Sequence, residues 1–267
     1  MKSLLSLGFV LVGLGTGCAM NDMDSEDFET YEADLVGLNY VAQGDSYASG
    51  TGTREYYDSG CQRSNHSYAK QLAAQRGLNL NHIACSGARI PDVRANQLGA
   101  LSTATNIVTI SIGGNDAGFS SVITQCAKPW PYTCTTELAN ARSFITNTLP
   151  GQLDALYNDI RARAPNAHVI VVGYPRLFNG EECNLLARIS PTEQSDLNAV
   201  ADLLATKTST VATAHGFTFV DPRSAFQAHR ICDDVEWLNG LSNPVGESYH
   251  PNQIGHDGFT NLINPLL

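Results

Sequence analysis

The 267-residue sequence predicts an α/β fold, a three-layer α/β/α sandwich with a central parallel sheet, and two features of its patterning carry that expectation. Its strand-like runs, NIVTISIGG and HVIVVGYP among them, are nearly unbroken in Val and Ile, as in strands covered on both faces. Between these runs lie longer segments with apolar residues at helical spacing, the rhythm of parallel strands joined by crossover helices.

The first residues, MKSLLSLGFVLVGLGTGCAM, place one Lys ahead of an apolar run that closes on small residues, so residues 1–19 read as a secretory signal peptide. The run from Leu4 to Leu14 is shorter than the ~20 apolar residues that a bilayer span needs. Two exits are open: cleavage after Ala19, or processing at Cys18, where Leu14-Gly15-Thr16-Gly17-Cys18 loosely resembles a bacterial lipobox. The protein is therefore expected to be secreted, or anchored to the cell surface as a lipoprotein through acyl chains on Cys18. Residues 20–37 read as an acidic linker without apolar periodicity.

Residues 38–267 are expected to form one catalytic domain. LNYVAQGD is its first strand, followed by a helix around Tyr68 to Arg76 and by the strands LNLNHIAC and NIVTISIGG. From Thr136 to Ala164, Leu138, Ala141, Phe144 and Ile145, then Leu153, Leu156 and Ile160, stand at helical spacing, broken at Pro150 into two helices. HVIVVGYP is the next strand. Ser190-Pro191-Thr192-Glu193 is a capping box that opens a helix through Leu197, Val200, Leu203 and Leu204. FTFVD is the last strand, and a final helix is expected to begin near Pro251.

An apolar share of 43% with 16% charged residues is ordinary for a globular domain. The net charge of −10 argues against a nucleic-acid partner, which would require clustered Lys and Arg. Beyond Cys18 stand six cysteines, an even number in an exported chain, so three disulfides are expected with their pairing open. No Cys-x-x-Cys or His spacing of a zinc site occurs, and no metal is expected.

In parallel sheets, reactive residues gather beyond the carboxyl ends of the strands. Gly44-Asp45-Ser46 places Ser46 at a strand-to-helix turn near backbone N–H groups, although Gly-Asp-Ser is also ordinary turn chemistry. Gly113-Gly114-Asn115-Asp116 offers the Asn115 amide either as an oxyanion donor or as a loop residue satisfying its own backbone. His250, just ahead of Pro251, suits a general base. His256 is assigned to structure.

Taken together, GDSYASG around Ser46, CSGA with Gly87, IGGND with Asn115 and HPNQIGH with His250 resemble, in order and register, the blocks of the SGNH (GDSL) hydrolase family. The likeness is to its secreted actinobacterial-type lipases and phospholipases, over roughly residues 38–267. The resemblance implies a flavodoxin-like fold and a serine mechanism without a cofactor. Ser46 would be the nucleophile and His250 the base, with the oxyanion held by the Ser46 N–H, the Gly87 N–H and the Asn115 side chain. The family usually carries Asp three residues before this His. Here Glu247 stands in that place, so Glu247 is the expected third triad member and the Ser248 carbonyl its rival. The resemblance also implies disulfides Cys61–Cys85, Cys126–Cys134 and Cys183–Cys232.

The expected function is a secreted ester hydrolase acting on carboxylic acyl esters as a lipase, esterase or phospholipase, with a small-molecule or lipid ester as substrate and a monomeric state. A carbohydrate deacetylase of the same fold and a non-catalytic surface binding lipoprotein are the alternatives. Trp130, Tyr132, Trp237, Leu238, Leu241 and Tyr249 are the apolar side chains expected near the cleft, and loops 127–135 and 177–187 are expected to set substrate choice.

Overall fold

The computed structural model describes residues 35–129, 131–184 and 186–267. The signal segment, Cys18, the acidic stretch up to Asp34 and Trp130 lie outside the described residues. Leu35, assigned to the linker from sequence, is buried, and the Gly37 N–H donates to the Gly77 carbonyl at 2.8 Å. A linker boundary after residue 37 therefore falls inside packed chain.

Strand β1 (Asn39–Gly44) runs into the short helix α1 (Ser46–Ser49), and a small antiparallel pair follows, β2 (Tyr56–Asp58) and β3 (Arg63–Ser64). Then come α2 (Tyr68–Arg76), β4 (Asn79–His82), α3 (Ile90–Asn96), β5 (Ile107–Ser111) and α4 (Phe119–Cys126). The chain continues through α5 (Thr135–Asn147), α6 (Leu149–Arg163), β6 (His168–Val172), α7 (Pro191–Ala214), β7 (Thr218–Val220) and α8 (Gln253–Ile263).

Five strands form a parallel sheet in the order β4-β1-β5-β6-β7. Numbered by occurrence in this sheet alone, that is 2-1-3-4-5, the flavodoxin-type order whose switch point is where ligands bind. The switch lies between β1 and β5, and β5 is buried along its whole length, as the apolar run NIVTIS requires. Helices α2 and α8 pack together as one group, while α5, α6 and α7 pack as another with α3 set against α6. Gly44 is paired with Ser111 at the switch, with φ at +121°. A Cβ there would lie 2.2 Å from the Ser111 carbonyl oxygen, so only glycine lets the two strand ends approach.

The expected helices over 136–164 are present, with the break at Thr148 and Pro150 in the first turn of α6, where its missing N–H costs nothing. The Ser190–Glu193 capping box opens α7. The last helix starts later than expected. Its N-cap is Asn252, whose side chain accepts the Gly255 N–H at 2.9 Å, and Pro251 stays outside in a bridge to Leu238. Helix α4 was not legible because it opens on Gly118 at φ +74° with no capping side chain.

Disulfides join Cys61 to Cys85, Cys126 to Cys134 and Cys183 to Cys232. Among the described residues, no helix is long and apolar enough to cross a membrane.

Candidate active site

The nucleophile candidate is set by the first turn of α1. Asp45 caps this helix by accepting the Tyr47 N–H at 3.0 Å, which leaves Ser46 as its first residue. A first-turn N–H has no acceptor within its own helix, so the Ser46 amide points outward as a donor. The Ser46 Oγ lies 2.8 Å from His250 Nε2, although the two residues are 204 positions apart.

The other ring nitrogen fixes the tautomer. His250 Nδ1 is 2.8 Å from the Ser248 carbonyl oxygen. A carbonyl can only accept, so Nδ1 carries the proton and Nε2 is left with its lone pair toward the Ser46 hydroxyl. Burial pushes His250 down to about 4, with the Ser248 and Glu247 carbonyls pulling the other way. The imidazole is therefore neutral at neutral pH, the form a general base requires.

Glu247 does not fill the place expected of it. Its carboxylate is buried, but one oxygen accepts the Tyr56 hydroxyl at 2.7 Å and the other lies 3.6 Å from Arg54 Nε. The cause is local backbone geometry. Residues Val245–Glu247 form a 3₁₀ turn, and Tyr249 takes a left-handed φ of +62°. That path brings the Ser248 carbonyl onto the imidazole and turns the Glu247 side chain toward Tyr56 on β2.

The loops bearing Ser46 and His250 are sewn together. Asn239 Nδ2 donates to the Gly52 carbonyl at 2.9 Å and to the Glu247 carbonyl at 3.3 Å, and the Asn239 N–H donates to the His250 carbonyl at 2.8 Å. Gly52 sits at φ +100°, and a Cβ there would come within 2.5 Å of the Pro251 carbonyl oxygen. Sequence reading missed Asn239, because a lone Asn between Leu238 and Gly240 carries no signal of its long-range contacts.

Asn115 lines the same cleft as Ser46 and His250. Its Nδ2 donates to the Ala88 carbonyl at 3.0 Å, which uses one of two N–H bonds. The neighbouring Asp116 accepts the Ile90 N–H at 3.0 Å, so the end of β5 fastens the chain just after Gly87 at two points. Gly87 has φ +81°, and among the described residues its N–H has no acceptor. Its side of the loop borders a second depression, shared with Arg63 and Ser86, rather than the cleft that holds Asn115. The Cys61–Cys85 disulfide and a hydrogen bond from the Ser86 N–H to the Cys61 carbonyl, 3.0 Å, hold this segment from the other end.

The cleft has a volume of about 340 Å³. Phe119, Ile123, Leu177, Leu204, Leu241 and Val245 give it mostly apolar walls, and Ser46, Asn115 and His250 lie at its polar end. Of the aromatic and leucine side chains expected here, Leu241 and Tyr249 line it. Leu238 is fully buried, Trp237 is stacked on His229 at 3.9 Å, and Tyr132 is largely exposed. Part of the wall comes instead from Phe119 and Ile123 of α4 and Leu204 of α7.

Residues 42–257 match the model of the GDSL-like Lipase/Acylhydrolase family. The chain is 43% identical to Lipase 1 of Streptomyces coelicolor over 82% of each chain. Its fold superposes on the extracellular lipase of Streptomyces rimosus with a TM-score of 0.82 and 40% identity, covering 86% of this chain and 100% of the other. Phospholipase A1 of Streptomyces albidoflavus gives 0.81 and 36%, covering 86% and 99%. The family match spans the segments that carry Ser46, Asn115 and His250, and the chain belongs to the GDSL-like lipase/acylhydrolase family.

Proposed function

We propose that this protein is a secreted serine ester hydrolase of the lipase and phospholipase kind, and that it takes the acyl chain of its substrate into the apolar cleft. The observation that carries the reading is the 2.8 Å contact of Ser46 Oγ with a neutral His250, at the polar end of an otherwise apolar cavity.

Ser46 Oγ attacks the ester carbonyl carbon while His250 Nε2 takes the hydroxyl proton. The tetrahedral oxyanion is held by the Ser46 N–H and the second N–H of the Asn115 amide, and the Gly87 N–H is the further donor that the family resemblance implies. As the intermediate collapses, the carbon–alkoxide bond breaks and the leaving alcohol receives the proton from His250. A water activated by the same imidazole then releases the carboxylic acid. The imidazolium formed in each half-reaction is stabilised by its Nδ1–H bond to the Ser248 carbonyl, the part that a carboxylate plays in a Ser-His-Asp triad.

Export follows from the signal segment 1–19, with the mature protein either freed after Ala19 or held at Cys18, and it acts as a monomer. The extracellular lipase of Streptomyces rimosus supports the secreted reading. The test is hydrolysis of p-nitrophenyl esters from acetate to palmitate, with Ser46→Ala alongside. A Ser46-dependent rate that rises beyond acetate supports the assignment. An optimum at acetate points to a deacetylase, and a folded protein with no rate on any ester would be a binding lipoprotein.

A further inference from the structure

Tyr174 stands two residues beyond β6, at the carboxyl end of the sheet, with its ring in the cleft wall. Its hydroxyl donates to Asp45 Oδ2 at 2.5 Å and accepts the Gly114 N–H at 3.3 Å. The first partner caps the helix that begins with Ser46. The second is the residue before Asn115. The ring leaves no room on the Gly114 side either, since a Cβ on that glycine would lie 3.3 Å from Tyr174 Cζ.

Three strand ends therefore meet on one phenol oxygen: that of β1 through Asp45, that of β5 through Gly114, and that of β6 through Tyr174 itself. The chain of contacts continues to the base. Tyr47 packs edge-on against Tyr174 with ring centroids 5.0 Å apart, and its own hydroxyl donates to the Tyr249 carbonyl at 2.8 Å, next to His250. Asp45 is 2% exposed, and its other oxygen is taken by the Tyr47 N–H. Tyr174 is thus the side-chain donor to this buried carboxylate and the acceptor for the Gly114 amide. Deleting the phenol oxygen would leave both without their partner.

We infer that Tyr174 is a positioning residue for ester hydrolysis, its hydroxyl setting the distance between Ser46 and the Asn115 donor. The inference rests on the serine hydrolase reading. Oxyanion stabilisation depends steeply on donor placement, and a donor attached to a strand end that can drift by a fraction of an ångström loses its preference for the transition state before it loses substrate binding.

The test is a double-mutant cycle on a p-nitrophenyl ester, with kcat and KM measured for wild type, Tyr174→Phe, Asn115→Ala and the double variant. Tyr174→Phe keeps the ring and should lower kcat about tenfold, with KM within about twofold. In the Asn115→Ala background the same change should lower kcat by less than about twofold, because the group through which Tyr174 acts is gone. Independent, multiplicative losses would overturn the inference, as would a change in KM alone. Should Tyr174→Phe not fold, Asp45→Asn, which alters the acceptor of the phenol and leaves Tyr174 in place, is carried through the same cycle with the same criterion. A rate that survives Ser46→Ala would instead refute the serine mechanism itself, so the two failures are told apart.

Discussion

His250 Nδ1 lies 2.8 Å from the Ser248 carbonyl oxygen, two residues behind it, so the imidazole is oriented by main chain and not by the acidic side chain three residues before it. Glu247→Ala should therefore lower kcat/KM less than tenfold, whereas His250→Ala should cost on the order of 10⁴-fold or more. The larger effect of Glu247→Ala should be on stability. It strips the half-buried Tyr56 hydroxyl of its acceptor, the loss of one hydrogen bond at about 0.5–1.5 kcal/mol. Steady-state kinetics with thermal melts of both variants check this. Equal activity losses would restore Glu247 to the triad.

Asn115→Ala should reduce turnover by about 10²–10³-fold, the usual cost of removing one oxyanion donor. Its bond to the Ala88 carbonyl is lost as well, so a small drop in melting temperature is expected alongside. Activity within a few-fold of wild type would remove Asn115 from the mechanism.

The pH dependence of activity follows from the burial of His250, which sits at about 4 rather than 6.5. Between those values the folded enzyme keeps its base neutral, so the acidic limb of kcat/KM should fall near pH 4. A limb near 6.5 in the folded protein would contradict a buried His250.

Stability has its own pH dependence, and the signs oppose. His82 and His250 are pushed to about 4 and His256 to about 3, all by burial. The unfolded chain binds protons on these residues below pH 6.5 while the native state does not, so stability falls as pH drops from 6.5 toward 3–4. Asp45 is raised to about 7 by burial, so between pH 3.8 and 7 it binds protons better in the native state, and acidification there adds stability. Three histidines outweigh one aspartate. Melting temperatures at pH 7 and pH 4.5 should show a net loss on the acid side, and Asp45→Asn should deepen it.

Reduction should lower turnover before it unfolds the core, because the Cys61–Cys85 bridge anchors the Gly87 segment and lies outside the parallel sheet. Turnover, circular dichroism and free thiols followed together in reductant check the order of events. Unchanged turnover with the thiols free would refute it.

The strands were legible because β5 is buried throughout and β6 from Val169 onward, so they read as runs dominated by Val and Ile. Ser46, Asn115 and His250, which line one cleft, were legible only as a set through the resemblance of their motifs to the SGNH family, since each alone is also ordinary turn, loop or surface chemistry. Tyr174 stands just beyond a strand end, and inspection of the residues after HVIVV for polar groups would have found it. Glu247 misled because spacing along a chain gives no side-chain direction once a 3₁₀ turn and a left-handed Tyr249 intervene. Leu241 and Tyr249 line the cleft as expected, but Trp237, Leu238 and Tyr132 do not, for a related reason. Trp237 stacks on His229 instead of lining the groove, and part of the lining belongs to helices that sequence showed only as amphipathic or did not show at all.

The seam at Asn239 and Gly52 joins the loops of Ser46 and His250 through one side-chain amide that bonds main-chain carbonyls on both sides. The loops that carry Ala127 and Leu177 into the cleft are secured elsewhere, by the Cys126–Cys134 and Cys183–Cys232 bridges. The reaction machinery and the substrate-sorting surface thus hang from separate fastenings. Such a scaffold can be retuned to a new acyl chain by exchanging wall residues, while an insertion anywhere along the 50–53 turn would silence it for every substrate at once.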